Sequence, residues 1–475
     1  MGKNFDYDYI IIGSGPAGLA AAQAFTRISR AKVAIVESGN FGGANINTRD
    51  LPYAVGLNFA KIYFDATHSS KYGLSGQNLH FNFPTAVNYQ EKMAKKLSDA
   101  KKAVFADHSD SRDAIHENHA DIINGSASFI DANTIIVNNR EYTASRFIIA
   151  TGAKLSTSEI SGVNYVDYLT PETAIKNRRL PKAVCVVGGG ASGCEIAQYY
   201  AALGIKTIII ERSERLLPRE DIEVGRAIED EFKNKFGITV LTSARVVALE
   251  KDMTSKRVVF SKDNNEKMVR VDTIVLATGS TPVVDGLGLD NADVKYKKSG
   301  IIVDKMFQTS TKNIFAVGDC IGGESSTDIA AYQGSLLATN LVNRTKNLPN
   351  YCGFIRTVNT FPAVATVGFN EDDLMKHDKH CKHKVTVFLR STFAGNTAED
   401  ESGFVKILAD KDLKIIGATI VAPNADTMIQ ELAMAIRHGF GAAEIASTPH
   451  VVNGYGEAVR AAARQIMANF VNHFK

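Results

Sequence analysis

The sequence predicts an α/β protein, with two dinucleotide-binding units of like design followed by a C-terminal α+β domain. Three observations predict it. The glycine pattern Gly13-Ser-Gly15-Pro16-Ala17-Gly18 recurs as Gly188-Gly-Gly190-Ala-Ser-Gly193. Each copy follows a short apolar run and leads into a helical stretch and a second apolar run that ends on an acid, Glu37 or Glu211. The last third of the chain mixes strand-like and helix-like periods.

In the first copy, the apolar run Tyr9 to Ile12 suits a buried parallel strand. Gly13 makes the tight turn, Gly15 lets the backbone approach a pyrophosphate, and Gly18 allows the next helix to pack closely. The helix through Ala17 to Phe25 offers unpaired N–H groups and a partial positive charge to a diphosphate. The strand Lys32 to Val36 then presents Glu37 and Ser38, about 20 residues past the glycines, where a carboxylate binds a ribose hydroxyl.

The second copy repeats each step: a strand over Pro181 to Val187, a helix over Glu195 to Leu203 and a strand over Lys206 to Ile210 ending at Glu211. A carboxylate repels a 2′-phosphate, so Glu211 favours NAD(H), and NADP(H) is the less expected coenzyme. Arg212 and Arg215 stand nearby, either as solvated charges or as a counterweight to that preference.

The C-terminal third has strand patterns over Lys384 to Leu389, Gly403 to Leu408 and Leu413 to Val421. Helical spacing follows over Met428 to His438 and Gly456 to Phe470. An antiparallel sheet backed by helices is expected.

Composition bounds the function. The 475 residues are 45% hydrophobic and 22% charged, long enough for about three domains. The net charge of +3 gives no broad electrostatic reason for a nucleic-acid or membrane partner, so a small molecule is expected. No signal core or membrane-length span is visible, and five scattered cysteines with no CxxC or CxxxxC spacing suit a reducing cytosol, so a cytoplasmic protein with free thiols is expected.

Further motifs follow the two fingerprints: Arg146 to Gly152, with Ala150 and Thr151; Asp272 to Gly279; and Asn313 to Asp319, with Gly318. Together these resemble the FAD-dependent pyridine nucleotide-disulfide oxidoreductases, the family of dihydrolipoamide dehydrogenase, glutathione reductase and mercuric reductase. The resemblance covers residues 7 to 475 and extends through Thr360 to Gly368, Gly403 to Lys406 and Gly417 to Asn424. It implies an FAD-binding domain from 1–155 and 283–350, two Rossmann-like domains in all with the NAD-binding one at 156–282, and a dimerisation domain at 351–475 of a homodimer. FAD contacts are implied at Gly43, Ala44, Ala127 and Ala330 besides the fingerprint residues and Asp319. Glu195 and Gly279 are implied on the nicotinamide side.

One segment departs from the family. Where relatives carry two cysteines four residues apart and then a lysine, Gly42 to Ala54 has Asn45, Asp50 and Ala54. Neither Asn nor Asp can accept two electrons. Near the C-terminus Glu457 matches the family's acid, but Val452 stands where its base belongs, with His450 two residues earlier. A base that serves a thiolate has no work without the dithiol. The expectation is therefore an FAD-dependent NADH:acceptor oxidoreductase, not a disulfide reductase, in which electrons pass from nicotinamide to flavin and on to a small acceptor such as a quinone or oxygen. Arg49, Asp50, Asn45 and Glu457 are the candidate catalytic residues, with an Arg49–Asp50 ion pair as the alternative for the first two. A redox-inactive nucleotide sensor and a soluble transhydrogenase stay open. Ala191, small for its place in the second turn, suggests easy nicotinamide access.

His377, His380, Cys381 and His383 have metal-like spacing, but interleaved lysines repel a cation, so no metal is expected. Lys92 to Lys102 reads as an exposed helix face and Asp107 to Asn118 as a surface excursion.

Overall fold

Three consecutive isoleucines end the strand Tyr7–Ile12, and each is buried because the strand is covered on both faces. Ile11 faces Ala21, Ala22 and Phe25 of the helix Pro16–Ile28, while Ile10 and Ile12 face a second layer with Phe129 and Leu287. A computed structural model describes residues 5–74, 79–105, 119–156, 160–252, 255–324, 326–376 and 381–473. The chain divides into two units. One comprises Met1–Val55, Thr85–Ser156 and Gly279–Tyr351; the other comprises Gly56–Pro84, Thr157–Thr278 and Cys352–Lys475.

In the first unit, Tyr7–Ile12 lies between Val33–Glu37 and Arg140–Ile149, all parallel, with Asp121–Asn124 outside Val33–Glu37. Ile314–Ala316 adds a parallel strand against the end of Arg140–Ile149. The strands Ser128–Asp131 and Thr134–Val137 form an antiparallel hairpin on its other part. The helix Thr327–Asn343 packs on Pro16–Ile28 at backbone distance, since a Cβ on Gly334 would meet the Ala17 carbonyl oxygen at 2.0 Å.

The second unit repeats the parallel core. Its order, Thr239–Leu241, Lys206–Ile210, Ala183–Val187, Thr273–Leu276, matches that of Asp121–Asn124, Val33–Glu37, Tyr7–Ile12 and Arg140–Ile149 in the first. A three-stranded antiparallel meander, Arg245–Lys251, Lys256–Lys262 and Asn265–Val271, joins it. The helix after the second fingerprint starts at Ala191 rather than Glu195, because Gly190 is itself the cap, with extended backbone at φ −75°. Every residue of that helix from Gly193 onward is buried.

The same unit holds a five-stranded antiparallel sheet in the order Ile355–Val358, Ala363–Gly368, Ile415–Ala422, Phe404–Ala409, His383–Phe388. Helices Gln430–His438 and Glu457–His473 supply Leu432, Ala462 and Ile466 to its core. The expected helix from Met428 is in two pieces, Ala425–Met428 and Gln430–His438, on either side of Ile429.

One buried charge is built into this sheet. Lys406, fully buried, places its ammonium 2.7 Å from Asp221, 3.2 Å from Glu223 and 2.5 Å from Glu371. Burial opposes the charge, but hydrogen bonds to Asp221 and Glu371 and the pull of the carboxylates outweigh it, and the ammonium is held above the usual lysine range.

The five lysines from Lys92 to Lys102 are exposed on the helix Phe83–Ala103. The excursion 107–118 lies outside the described residues. Among the described residues, no helix is long and apolar enough to cross a membrane.

Candidate functional sites

Two glycine turns of the same geometry face open space. Gly13 has φ +110°, and a Cβ there would meet the Ala150 carbonyl oxygen at 2.4 Å; Gly188 has φ +110° and the same 2.4 Å approach to Ala277. Gly18 and Gly193 press against the carbonyls of Gly13 and Gly188, at 1.9 and 2.0 Å. These four glycines are required by protein atoms. Gly15 and Gly190 are different, because nothing lies within 4 Å of a Cβ at either. Each caps a helix of twelve residues or more with no side-chain cap, so N–H groups point into the space that a Cβ would fill. That is the cradle a diphosphate needs, and the residues fit a dinucleotide in both places.

The acids complete each turn. In the first, Ser14 donates to Glu37 Oε2 through its N–H at 2.9 Å and its hydroxyl at 2.5 Å, and Gly39 N–H donates to Oε1 at 2.7 Å. In the second, Gly189 N–H donates to Glu211 Oε2 at 2.5 Å and Ser213 N–H to Oε1 at 2.7 Å. A carboxylate has about four acceptor positions, so each acid is fixed and still able to take a ribose hydroxyl. Arg215 is engaged with Asp372 at 2.8 Å and with the Glu220 carbonyl at 3.1 Å, whereas Arg212 is exposed.

The remaining first-unit candidates make the following contacts. A Cβ on Gly43 would lie 2.6 Å from Gly15 Cα, which sets the short helix Gly43–Asn47 against the first turn, with Ala44 exposed. Pro16 occupies the start of the helix Pro16–Ile28. Gly318 lies 3.1 Å from Ala17 by the same measure and 3.5 Å from Ala330, and its N–H donates to Gln333 Oε1 at 2.7 Å. Asp319 is half-buried beside it. Thr151 donates its hydroxyl to the Val283 carbonyl at 2.9 Å, and Gly152 has φ +71° with open space about it. Gly125 N–H donates to the Glu37 carbonyl at 2.8 Å, which places Ala127 two residues on, buried; Ser38 is exposed. Gly279, at φ +99°, accepts from Ser156 N–H at 3.0 Å at the boundary where the chain re-enters the first unit.

Asn45 and Asp50 are brought together. Asn45 Nδ2 donates to Asp50 Oδ2 at 2.5 Å, and the same oxygen accepts from Thr327 Oγ1 at 2.5 Å. Asp50 opens the helix Asp50–Thr67, where the dipole favours its charge. Among the described residues no ion pair joins Arg49 to Asp50; the carboxylate turns to Asn45 and Thr327 instead. Sequence reasoning missed Thr327, which lies 277 residues away and carries no motif.

Glu195, buried in the second unit, accepts from Asn359 N–H at 2.7 Å and from Asn359 Nδ2 at 3.1 Å. Asn359 was also missed, although it adjoins the Thr360 to Gly368 motif. Ala191 is exposed at the start of the same helix. His450 sits with Nε2 2.9 Å from Glu431 and Nδ1 3.0 Å from the Thr448 carbonyl, so both ring nitrogens face oxygens of its own unit. Burial raises the Glu431 carboxyl above the usual range, against the pull of His450. Val452 is exposed, and Glu457 Oε2 is buried without a hydrogen-bond partner among the described residues.

The thiols are dispersed. Burial pushes the Cys320 thiol up to about 12 and those of Cys185 and Cys194 higher still, which removes thiolate character. Cys381 donates to the His383 carbonyl at 3.2 Å; His377 and His380 lie outside the described residues. Asp221, Glu223 and Glu371 converge closely enough for a cation, and the Lys406 ammonium stands among them.

Comparisons with known proteins extend over most of the chain. The profile described as pyridine nucleotide-disulphide oxidoreductase matches residues 7–334, and that of the corresponding dimerisation domain matches residues 355–463. A mercuric reductase of Bacillus cereus is 30% identical over 447 residues, 94% of this chain and 69% of the relative. A dihydrolipoyl dehydrogenase of Geobacillus stearothermophilus is 30% identical over 465 residues, 96% of this chain and 95% of the relative. Among solved structures, the Cu(II) complex of the HOCl-induced flavoprotein disulfide reductase RclA from Escherichia coli superposes with a TM-score of 0.85 at 22% identity. It covers 98% of this chain and 100% of that one. LpdA from Mycobacterium tuberculosis gives 0.85 at 22%, covering 97% and 99%. These two likenesses show the fold alone.

Proposed function

The chain belongs to the pyridine nucleotide-disulphide oxidoreductase family, whose members use FAD and NAD(P)H, and from that premise we propose that it is an NADH:acceptor oxidoreductase working without a dithiol relay. The observation that carries this reading is the hydrogen bond from Asn45 to Asp50, at the positions where the family resemblance sets two cysteines. An amide and a carboxylate exchange protons but not electron pairs, so nothing in Gly42 to Ala54 can store the two electrons that a disulfide stores. The buried Cys185, Cys194 and Cys320 are held as thiols and offer no substitute. This departs from what the family resemblance implies for residues 42 to 54.

When bound, FAD supplies the two-electron redox step between the coenzyme and the final acceptor. The chain's own part is to bind and orient. The Gly15 turn would take the FAD diphosphate on helix N–H groups, with Glu37 on the ribose hydroxyl and Gly318 and Asp319 holding the far side. The Gly190 turn would take NADH in the same way, with Glu211 on its ribose. Glu211 disfavours a 2′-phosphate, and Arg215, already bound to Asp372, offers it little compensation; this supports NADH over NADPH and weakens the transhydrogenase alternative. His450, enclosed by Glu431 and Thr448, is not offered to a substrate, in keeping with a reaction that has no thiolate to protonate. We read residues 1–155 with 283–350 as the FAD domain, 156–282 as the NAD domain and 351–475 as the dimerisation domain of a homodimer, the last supported by the matching profile.

The test is anaerobic mixing of the purified flavoprotein with NADH, followed by a panel of quinones, oxygen and small disulfides. Bleaching of the oxidised flavin band and reoxidation by a quinone or oxygen, with no turnover of disulfides, is the expected result. A flavin that stays oxidised points to the nucleotide-sensor alternative, and turnover of a disulfide at a rate matching the quinones overturns the reading.

A further inference from the structure

The Asn45–Asp50–Thr327 cluster closes a ring of contacts around the first cradle. Gly43 stands against Gly15; from Gly43 the short helix leads to Asn45, and Asn45 binds Asp50. Asp50 binds Thr327, the first residue of the helix Thr327–Asn343. Along that helix, Gln333 holds Gly318, and Gly334 touches Ala17, one residue before Gly18 of the same turn. All members belong to one unit. Apart from covalent continuity and backbone packing, the links are side-chain hydrogen bonds: Gln333 to Gly318 within one segment, and the Asn45–Asp50–Thr327 cluster between two, where Asn45 Nδ2 also donates to Thr327 Oγ1 at 3.4 Å. At its centre is the Asp50 carboxylate, whose Oδ2 takes both donors while the two segments it joins, 43–50 and 327–334, have no sequence proximity.

We propose that Thr327 and Asn45 are positioning residues that latch Asp50, and that this latch sets how fast FAD leaves the protein. It rests on FAD occupying the Gly15 cradle, and not on the identity of the acceptor. Hydrogen bonds to an ionised carboxylate are about twice as strong as neutral ones, and the start of the helix Asp50–Thr67 adds its dipole to the same charge. With both bonds made, the 43–50 segment is fixed over the cradle. With the Thr327 hydroxyl gone, or the Asp50 charge that holds it removed, that side of the ring is free to open, and the dinucleotide has a way out. The latch contains no sulfur, so retention of FAD is independent of the thiol redox state of the solution.

The experiment measures release of flavin from purified holoprotein by the rise of free-FAD fluorescence after dilution, with and without dithiothreitol, for the wild type, Thr327→Val, Thr327→Ser and Asp50→Asn. Valine keeps the volume of threonine but cannot donate, serine restores the hydroxyl, and Asp50→Asn keeps the shape and removes the charge. Release at least about tenfold faster in Thr327→Val and Asp50→Asn, near wild-type release in Thr327→Ser, and no effect of the thiol reagent support the latch. Wild-type release in both weakened variants overturns it, as does Thr327→Ser releasing as fast as Thr327→Val. A melting temperature of the flavin-free variants well below that of the flavin-free wild type assigns the cluster to folding instead and equally overturns the proposal. Because release is read without turnover, a failure of the acceptor reaction leaves this outcome legible.

Discussion

Arg215 binds Asp372 at 2.8 Å and so spends its guanidinium inside its own unit, one turn of chain from the acid Glu211 that faces the second cradle. Without that pairing, an arginine four residues past Glu211 would be the natural partner of a 2′-phosphate. The pairing makes coenzyme choice testable by kcat/KM for NADH and NADPH. The wild type is expected to favour NADH. Asp372→Ala, which releases Arg215, and Glu211→Ala, which removes the repulsion, should each narrow the preference by about tenfold, the equivalent of ~1.4 kcal/mol. A ratio unmoved by both variants would sever the link between these residues and coenzyme choice.

The glycines of each turn separate into those the fold needs and those a ligand needs. Gly13→Ala and Gly188→Ala drive a methyl into a carbonyl at 2.4 Å with φ +110°, and each should cost about 2 kcal/mol or more in urea unfolding. Gly15→Ala and Gly190→Ala meet no protein atom, so the flavin-free fold should keep its stability while the first variant loses FAD and the second raises the KM for NADH. Equal stability losses at all four positions would contradict the assignment of cradles.

Replacing Lys406 with Met leaves the buried Asp221 carboxylate without its cation, beside the half-buried Glu371 and the exposed Glu223, and should cost about 3 kcal/mol at pH 7. The lysine's contribution is complete below the value of an unfolded lysine, about 10.4, and is lost as pH rises through its own elevated value. At the acid end, burial would raise the Glu371 carboxyl, but its hydrogen bonds to Lys384 and Lys406 outweigh that and lower it. Its contribution is present above about 4.3 and lost as pH falls through the depressed value. Urea midpoints of wild type and Lys406→Met should therefore converge above the lysine range.

Thiol titration in denaturant should count all five cysteines whether or not NADH has first reduced the flavin under nitrogen. A gain of two titratable thiols on reduction would reveal a disulfide that takes part in turnover and would remove the basis for a sulfur-free route.

Much of the architecture was legible from the residues alone, because a turn that needs φ near +110° and a helix packed so closely that a Cβ would meet a carbonyl oxygen at about 2 Å admit only glycine, and the pattern writes itself into the sequence twice. Element ends were less legible. The helix at Ala191 begins four residues early because Gly190 caps it without a polar side chain to announce the start. Partnerships across the chain were not legible at all. Arg49 and Asp50 are neighbours of opposite charge, yet the carboxylate goes to Asn45 and to Thr327, and nothing in the local pattern around Thr327 signals a donor. Asn359 satisfies Glu195 from a distant strand end, and nothing in the local pattern around Glu195 signals that partner.

A segment whose reactive positions are an amide and a carboxylate offers no soft nucleophile. Arsenicals, alkylating agents and hypohalous acids inactivate dithiol enzymes by capping or over-oxidising the sulfur pair, and between Gly42 and Ala54 they find no thiol to modify. On the proposed sulfur-free route, giving up one class of chemistry removes one class of poison, and the electron route should stay open under the oxidative conditions that close a sulfur-dependent one.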